Sequence, residues 1–370
     1  MRPGLVLSMT ALLAGGLSAG CATVKRPMQA APALPSPLAI EQVAVEPKTL
    51  DFRRPGEAAV RYTLSRPAVV SVELLDDANH LIRSINAGHQ GAGPQRASWD
   101  GRREEGVPAF NGVYRYVIRA RETNGREILY DPSQEMGGEE LEVRNFQWDP
   151  EGNRFRWVMP KAGYARLRVG IEGFPHLRTL LDWEPIEAGE QTLTWDGLDT
   201  SGHIQIKNHP HLSIKLAAFA MAPNTVIVKG ADSLRNGRST GPTALAQNPR
   251  VPGYLHARHP RTQCRELHLR VEFPGAQEAG QGRPILQGKV PVRISLQAED
   301  VAWMINERFE VAVFEDLTVI FEEEEGLSPF TYEWDTGHLP PGQHLLTVNI
   351  LGHDDHFGVE TKTVWIGASS

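Results

Sequence analysis

The chain has 370 residues, more than one hydrophobic core ordinarily supports, so two to four domains are expected. With 41% hydrophobic and 22% charged residues its composition is that of a soluble globular protein, and 35 Gly with 27 Pro favour short strands and turns over long helices. A net charge of −7 without a clustered basic face excludes nucleic acid as an expected partner.

The chain opens on "MRPGLVLSMTALLAGGLSAGC", with Arg2, an apolar run from Leu5 to Ala19, and small residues before Cys21. The run is too short to cross a hydrocarbon layer of about 30 Å comfortably, so residues 1–20 read as a cleaved export signal. Its end, Leu17-Ser18-Ala19-Gly20-Cys21, closely resembles the lipobox of bacterial lipoproteins. That resemblance implies removal of the segment before Cys21 and transfer of a diacylglycerol to its thiol. An ordinary secretory signal with a chance Cys is the alternative. Ala22, where Asp would signal otherwise, implies by the same resemblance the outer membrane of a Gram-negative cell. Each buried methylene contributes about 0.8 kcal/mol, so two or three acyl chains anchor a protein where one does not. No cofactor is expected beyond this covalent lipid. Gly16-x-Ser18-x-Gly20 spells a nucleophile elbow but falls in the removed segment.

Residues 21–45 are rich in Ala and Pro with little charge and read as an extended tether. From residue 46 the text alternates. In "VVSVELL" Val70, Val72 and Leu74 share one face, and Ser71 and Glu73 the other. In "VYRYVIRAR" Tyr114, Tyr116, Ile118 and Ala120 oppose Arg115, Arg119 and Arg121. A period of two means strands with one buried and one wet face, and no sustained helical period follows the signal. The expected fold is all-β.

Residues 60–106 can be laid over 155–202. Tyr62 then matches Trp157, Val72 matches Leu167, Leu74 matches Val169, and Arg83 matches Arg178, while Trp99-Asp100-Gly101 matches Trp195-Asp196-Gly197. A shift held within one residue over this length is an internal duplication of one domain. Copies of this size fit an immunoglobulin-like sandwich of about seven short strands. The boundaries that follow are 46–144 and 145–222.

The stretch "YTLSRPAVVSVELLDDANHLIRSI…SWDGRREEGVPAFNGVYRYVIRA" resembles the Ig-like domain of flagellar hook-capping proteins, over about residues 50–122. The second copy keeps Trp195-Asp196-Gly197 and Gly202 but has "IQIKNHPHLSIKLAAF" in place of the Gly-Val-Tyr strand. The assembly segment that precedes this domain in hook caps has no counterpart, which argues against a flagellar role.

Residues 223–262 are polar and rich in Pro, Gly, Asn and Arg, and read as a linker or insertion, with "TVIVKG" as a strand pairing onto a neighbour. A third β unit occupies 263–370. Its "PFTYEWDTGHLPPGQHLLTVNI" resembles a different Ig-like module of secreted bacterial proteins, matched at Trp334, Asp335, Thr336, Gly342 and His344. The architecture expected is three Ig-like sandwiches in tandem behind a signal peptide and tether.

Each Trp-Asp pair reads as structural: the indole enters a core, Asp bonds nearby amides, and Gly101 or Gly197 tolerates positive φ. As acid–base or metal groups, Asp100 and Asp196 lack partner carboxylates at matching spacing. The metal candidates are His256, His259 and His268 with Cys264, and His353 and His356 with Glu322–Glu325. Three arginines oppose the first set, a solvated turn explains the second, and no metal is expected. Cys264, left without a disulfide partner, reads as a small apolar residue. "FEEEEG" at 321–326 reads as a guard on a sheet edge. The expected function is a non-catalytic lipoprotein, membrane-bound through its lipid, that scaffolds or binds an envelope protein or glycan. The alternatives are a metal-handling or enzyme-accessory lipoprotein, or a carbohydrate-binding surface protein.

Overall fold

The alternating text becomes paired strands, and the turn residues fall between them. The computed structural model describes residues 37–173, 175–231, 266–279, 283–301, 304 and 307–367. Cys21, His256, His259 and Cys264 therefore lie outside the described residues.

The first sandwich contains β1 (Ile40–Glu46), β2 (Thr49–Asp51), β3 (Ala58–Leu64), β4 (Ala68–Leu75), β5 (Leu81–Gln90), β6 (Gly93–Trp99), β7 (Gly112–Arg121) and β8 (Glu127–Tyr130). One sheet has the order β1-β3-β6, and β7-β4-β5 form the heart of the other. Their inward faces meet in a core that includes Tyr62, Leu64, Val70, Val72, Leu74, Trp99, Tyr116 and Ile118. Leu38 and Val45 are buried there as well, so the packed chain begins inside the stretch read as tether. Composition blurs that boundary: no proline stands between Pro37 and Pro47, and Ile40, Val43 and Val45 in that interval supply a face that docks on this core.

The second sandwich contains β9 (Arg144–Asp149), β10 (Arg154–Met159), β11 (Gly163–Ile171), β12 (His176–Ile186), β13 (Gly189–Thr194) and β14 (Leu212–Ala220), in sheets ordered β13-β10-β9 and β12-β11-β14. The duplication persists in register. Leu64 faces Gly93 in the first copy and Met159 faces Gly189 in the second, with φ of 102° and 101° at the two glycines. Gln95 donates to the Gly91 carbonyl, and Gln191 to the Glu187 carbonyl, the same four-residue reach.

From the second sandwich the chain returns to the first. β15 (Thr225–Lys229) lies parallel to β2 and antiparallel to β7, between them, and places Val226 and Val228 in the first core. Along β7, β15 covers Gly112–Arg115 and β8 covers Ile118–Arg121. The "TVIVKG" strand thus belongs to the sheet of a sandwich that began before it.

The third sandwich contains β16 (Glu266–Leu267), β17 (Leu269–Glu272), β18 (Gln277–Ala279), β19 (Arg283–Leu286), β20 (Lys289–Leu296), β21 (Phe309–Glu315), β22 (Thr318–Gly326), β23 (Phe330–Asp335), β24 (Gly342–Leu351) and β25 (Phe357–Ile366). Its sheets run β17-β20-β23 and β18-β19-β25-β24-β21-β22, with β16 on β25. On β20, Val290, Val292, Ile294 and Leu296 alternate inward with a regularity visible in the text. β22 is an outer strand and carries Glu322–Glu325, a run of charge that disfavours pairing with another chain. The one α-helix among the described residues, α1 (Ala298–Val301), has four residues. Leu38–Ser370 form one compact unit.

Candidate functional site

The repeated Trp-Asp-Gly is one turn built twice. Trp99 ends β6 with its ring in the first core, and its Nε1 donates to the Arg102 carbonyl at 2.8 Å; Trp195 follows β13 into the second core and donates to the Leu198 carbonyl at 2.9 Å. Asp100 Oδ1 accepts from the Arg102 amide at 3.1 Å, and Asp196 Oδ1 from the Leu198 amide at 3.0 Å. Gly101 and Gly197 take φ of 77° and 81°, which a side chain adopts only under strain. At Gly101 a Cβ would also stand 2.9 Å from Phe52 Cζ. Arg178 then braces the second turn through Asp196 and the Leu198 carbonyl, as Arg83 braces the first through the Arg103 carbonyl. Both indole N–H groups and one carboxylate oxygen of each Asp are thus engaged in forming the turn.

The third Trp-Asp is a variant. Trp334 is buried in the third core, but its Nε1 donates across the sandwich to Glu315 at 2.8 Å rather than into its own turn. Asp335 Oδ1 accepts from the Gly337 amide at 3.0 Å, and Thr336 bonds the Gly288 carbonyl. The His344 ring sits between Asp316 Oδ2 at 2.7 Å and the Pro340 carbonyl at 2.9 Å. Burial opposes a charge there, yet these two partners outweigh it and raise the His344 pKa.

The sandwiches meet through built junctions. Between the first and second, Val113 and Ile227 pack with Tyr164, Trp183 and Met221, and Tyr164 Oη donates to Asp77 at 3.1 Å. The second and third meet across a polar layer. His176 and Asn349 exchange two hydrogen bonds, each 2.9 Å, between the His176 backbone and the Asn349 amide. Arg168 pairs with Glu266 at 3.3 Å and covers the Phe357 ring, while Thr179 donates to Glu266 at 2.7 Å. This junction overrides the alternation read in the sequence. On β11 the arginines 166 and 168 stand on the face a period of two marks as wet, yet Gly163 to Gly170 are all buried. Guanidiniums survive burial because they stack on Trp183 and Phe357 and meet Asp355 and Glu266.

The His176 ring packs edge-on against Phe357, centroids 4.5 Å apart, and burial, then the positive Arg168, Lys215 and Arg166, push its pKa well below 6.5. The unfolded chain therefore binds this proton first, so stability present above about pH 6.5 is lost as the pH falls. Glu266 works the other way: burial raises its pKa against Arg168 and Thr179, so its own contribution falls as the pH rises. Comparing wild type with His176→Gln by thermal unfolding from pH 7.5 to 5 isolates the first group. Wild type is expected to lose more stability than the variant across that window, and parallel curves would contradict it.

The histidines do not assemble a metal centre among the described residues, where no three His, Cys, Asp or Glu side chains converge on one point. His268 Nδ1 lies 2.9 Å from the buried Asp300, whose carboxylate also accepts the His268 amide. His353 is exposed at the start of a single 3-10 turn, His356 is buried at its end, and neither joins Glu322–Glu325 in such a group.

A larger feature escaped the linear text. Where the first two sandwiches meet, a cleft of about 770 Å³ is lined by residues 47–51, 53–56, 160–162, 187–188, 227 and 229. Its charged groups come from four separate stretches, and only the Arg53-Arg54 pair hints at it in one dimension.

No curated protein sequence matches the chain. Among solved structures it is similar to fibronectin(III)-like modules of Clostridium thermocellum CbhA, with 12% identity, 88% of this chain and 94% of that one covered, and a TM-score of 0.18. It is also similar to trypsin-activated alpha-2-macroglobulin from Escherichia coli (10% identity, 90% and 24% covered, TM-score 0.20) and to dimeric latent PorU from Porphyromonas gingivalis (10%, 90% and 34%, TM-score 0.21). The chain thus spans about a quarter to a third of those two proteins. Residues 48–125, which run from β2 through β7 and hold the first Trp-Asp-Gly turn, match the family model of the FlgD Ig-like domain, so the first sandwich is an Ig-like domain of the FlgD kind.

Proposed function

We propose that the protein is a non-catalytic lipoprotein, held at the outer membrane by a covalent lipid on Cys21, that scaffolds or binds an envelope protein or glycan. The observation that carries this reading is the fate of the conspicuous polar residues. Asp100, Asp196 and Asp335 are engaged by the turns they form, and Trp99, Trp195 and Trp334 fill three separate cores, so the recurring motif supports architecture rather than chemistry. Junctions built from a packed apolar cluster and a polar layer hold the sandwiches in fixed relation, which suits a body that presents loops and sheet edges at a distance from its anchor.

The test uses the full chain expressed in a Gram-negative host beside Cys21→Ala. Wild type is expected to incorporate labelled fatty acid and sediment with outer membranes, and the variant to do neither. An unlabelled wild type sinks the anchor. A cross-linked pull-down from detergent-solubilised envelopes is expected to recover a saturable protein or glycan partner, and its absence sinks the interaction role.

A further inference from the structure

The cleft between the first and second sandwiches is electrostatically unlike the rest of the chain. It gathers five cations, Lys48, Arg53, Arg54, Lys161 and Lys229, against two carboxylates, Asp51 and Glu187, in a protein of net charge −7. Both carboxylates are already held. Arg53 Nε and Nη2 clamp Asp51 at 2.8 and 2.7 Å, keeping its pKa far below the usual range, and Lys229 pairs with Glu187. Lys161 reaches Glu139, outside the lining. Lys48 and Arg54 have exposed side chains with no hydrogen-bond or ion-pair partner among the described residues. Two uncompensated cations in a concavity walled by Leu50, Pro47 and Pro160 focus positive potential more strongly than the same charges on a convex surface.

A sheet edge borders the same space. β2 is the outer strand of its sheet. The Ile227 amide donates to the Lys48 carbonyl at 2.8 Å, and the Phe52 amide to the Lys229 carbonyl at 2.9 Å. In a parallel ladder with this register the backbone groups of Leu50 also turn toward β15, and those of Thr49 turn the other way, on the side of the cleft that Thr49 lines. An open strand edge and free cations together are the two halves of main-chain recognition with charge selection.

We propose that this cleft binds an extended acidic polypeptide segment, its backbone joining the β2 edge at Thr49 and its carboxylates facing Lys48 and Arg54. The volume, about 770 Å³, accepts a few residues rather than a domain. A recessed site with a strand edge favours a peptide over a flat anionic membrane. The inference rests on the reading of the protein as an interaction module.

The experiment titrates purified full chain, in neutral detergent, with a fluorescent hexaglutamate peptide, beside a hexaglutamine peptide, inorganic pyrophosphate and phosphatidylglycerol vesicles. Saturable hexaglutamate binding is expected, weakening as salt rises, with hexaglutamine bound far less. Lys48→Ala with Arg54→Ala is expected to weaken it about tenfold or more at an unchanged melting temperature, because neither side chain contributes to packing. The proposal is overturned if hexaglutamate does not bind, if the double variant binds it equally, or if pyrophosphate or vesicles bind as tightly with the same dependence on Lys48 and Arg54. Recovery of the envelope partner by the double variant separates the two readings: it leaves the interaction role standing whatever the peptide result.

Discussion

Replacing Trp195 with Ala is expected to destabilise the second sandwich by about 3–5 kcal/mol, the range for truncating a large buried aromatic. The indole is 3% exposed, lies 5.2 Å from the Trp148 ring and 5.9 Å from Phe155, and closes its own turn through the Leu198 carbonyl. The variant thus loses packing and one of the two donors to the Leu198 carbonyl, leaving Arg178 as the other. Trp195→Phe keeps much of the packing and should cost roughly half as much. Trp365, 45% exposed on β25, is the internal control, and its change to Ala should cost no more than about 0.5 kcal/mol. Guanidinium denaturation followed by far-ultraviolet circular dichroism measures all three. Similar losses at 195 and 365 would refute the assignment of Trp195 to a core.

Val228→Asp is expected to unfold the first sandwich, although the residue lies beyond the whole second sandwich in sequence. Val228 is 1% exposed, sits in register with Leu50 of β2 and Gly112 of β7, and belongs to the first core. A carboxylate there has no compensating cation in that apolar core, and the cost is about 4 kcal/mol or more. Hydrogen exchange locates the damage. The amides of β7 and β4 are expected to lose protection before those of β10 and β13. Loss confined to the second sandwich would mean that β15 does not complete the first. The same geometry implies that residues 38–144 expressed alone lack a strand of their own sheet.

How much of this was legible in one dimension depended on how local each cause is. The strands around Val70, Val72 and Leu74, and those around Val290, Val292 and Ile294, declare themselves because successive side chains point to opposite faces whatever lies beyond. Asp100-Gly101 and Asp196-Gly197 were readable as turns because the bonds that form them span two or three residues. The duplication was readable for the same reason: repeated local causes leave repeated text. Composition does not mark the tether's end, since Leu38 and Val45 look unremarkable until the core that receives them exists.

The chain's own text determined that this is an all-β protein with three Trp-Asp turns, because hydrophobic period and turn chemistry act within a few residues. The tertiary structure alone decided that β15 returns to the first sandwich, that Arg166 and Arg168 are buried, and that Lys48, Arg54 and Thr49 border one cleft with residues 160–162 and 187–188. Those outcomes depend on which distant surfaces meet. Strand pairing is made by backbone groups that every residue carries, and a guanidinium reads as a surface group until a carboxylate and an aromatic face from another sandwich close over it.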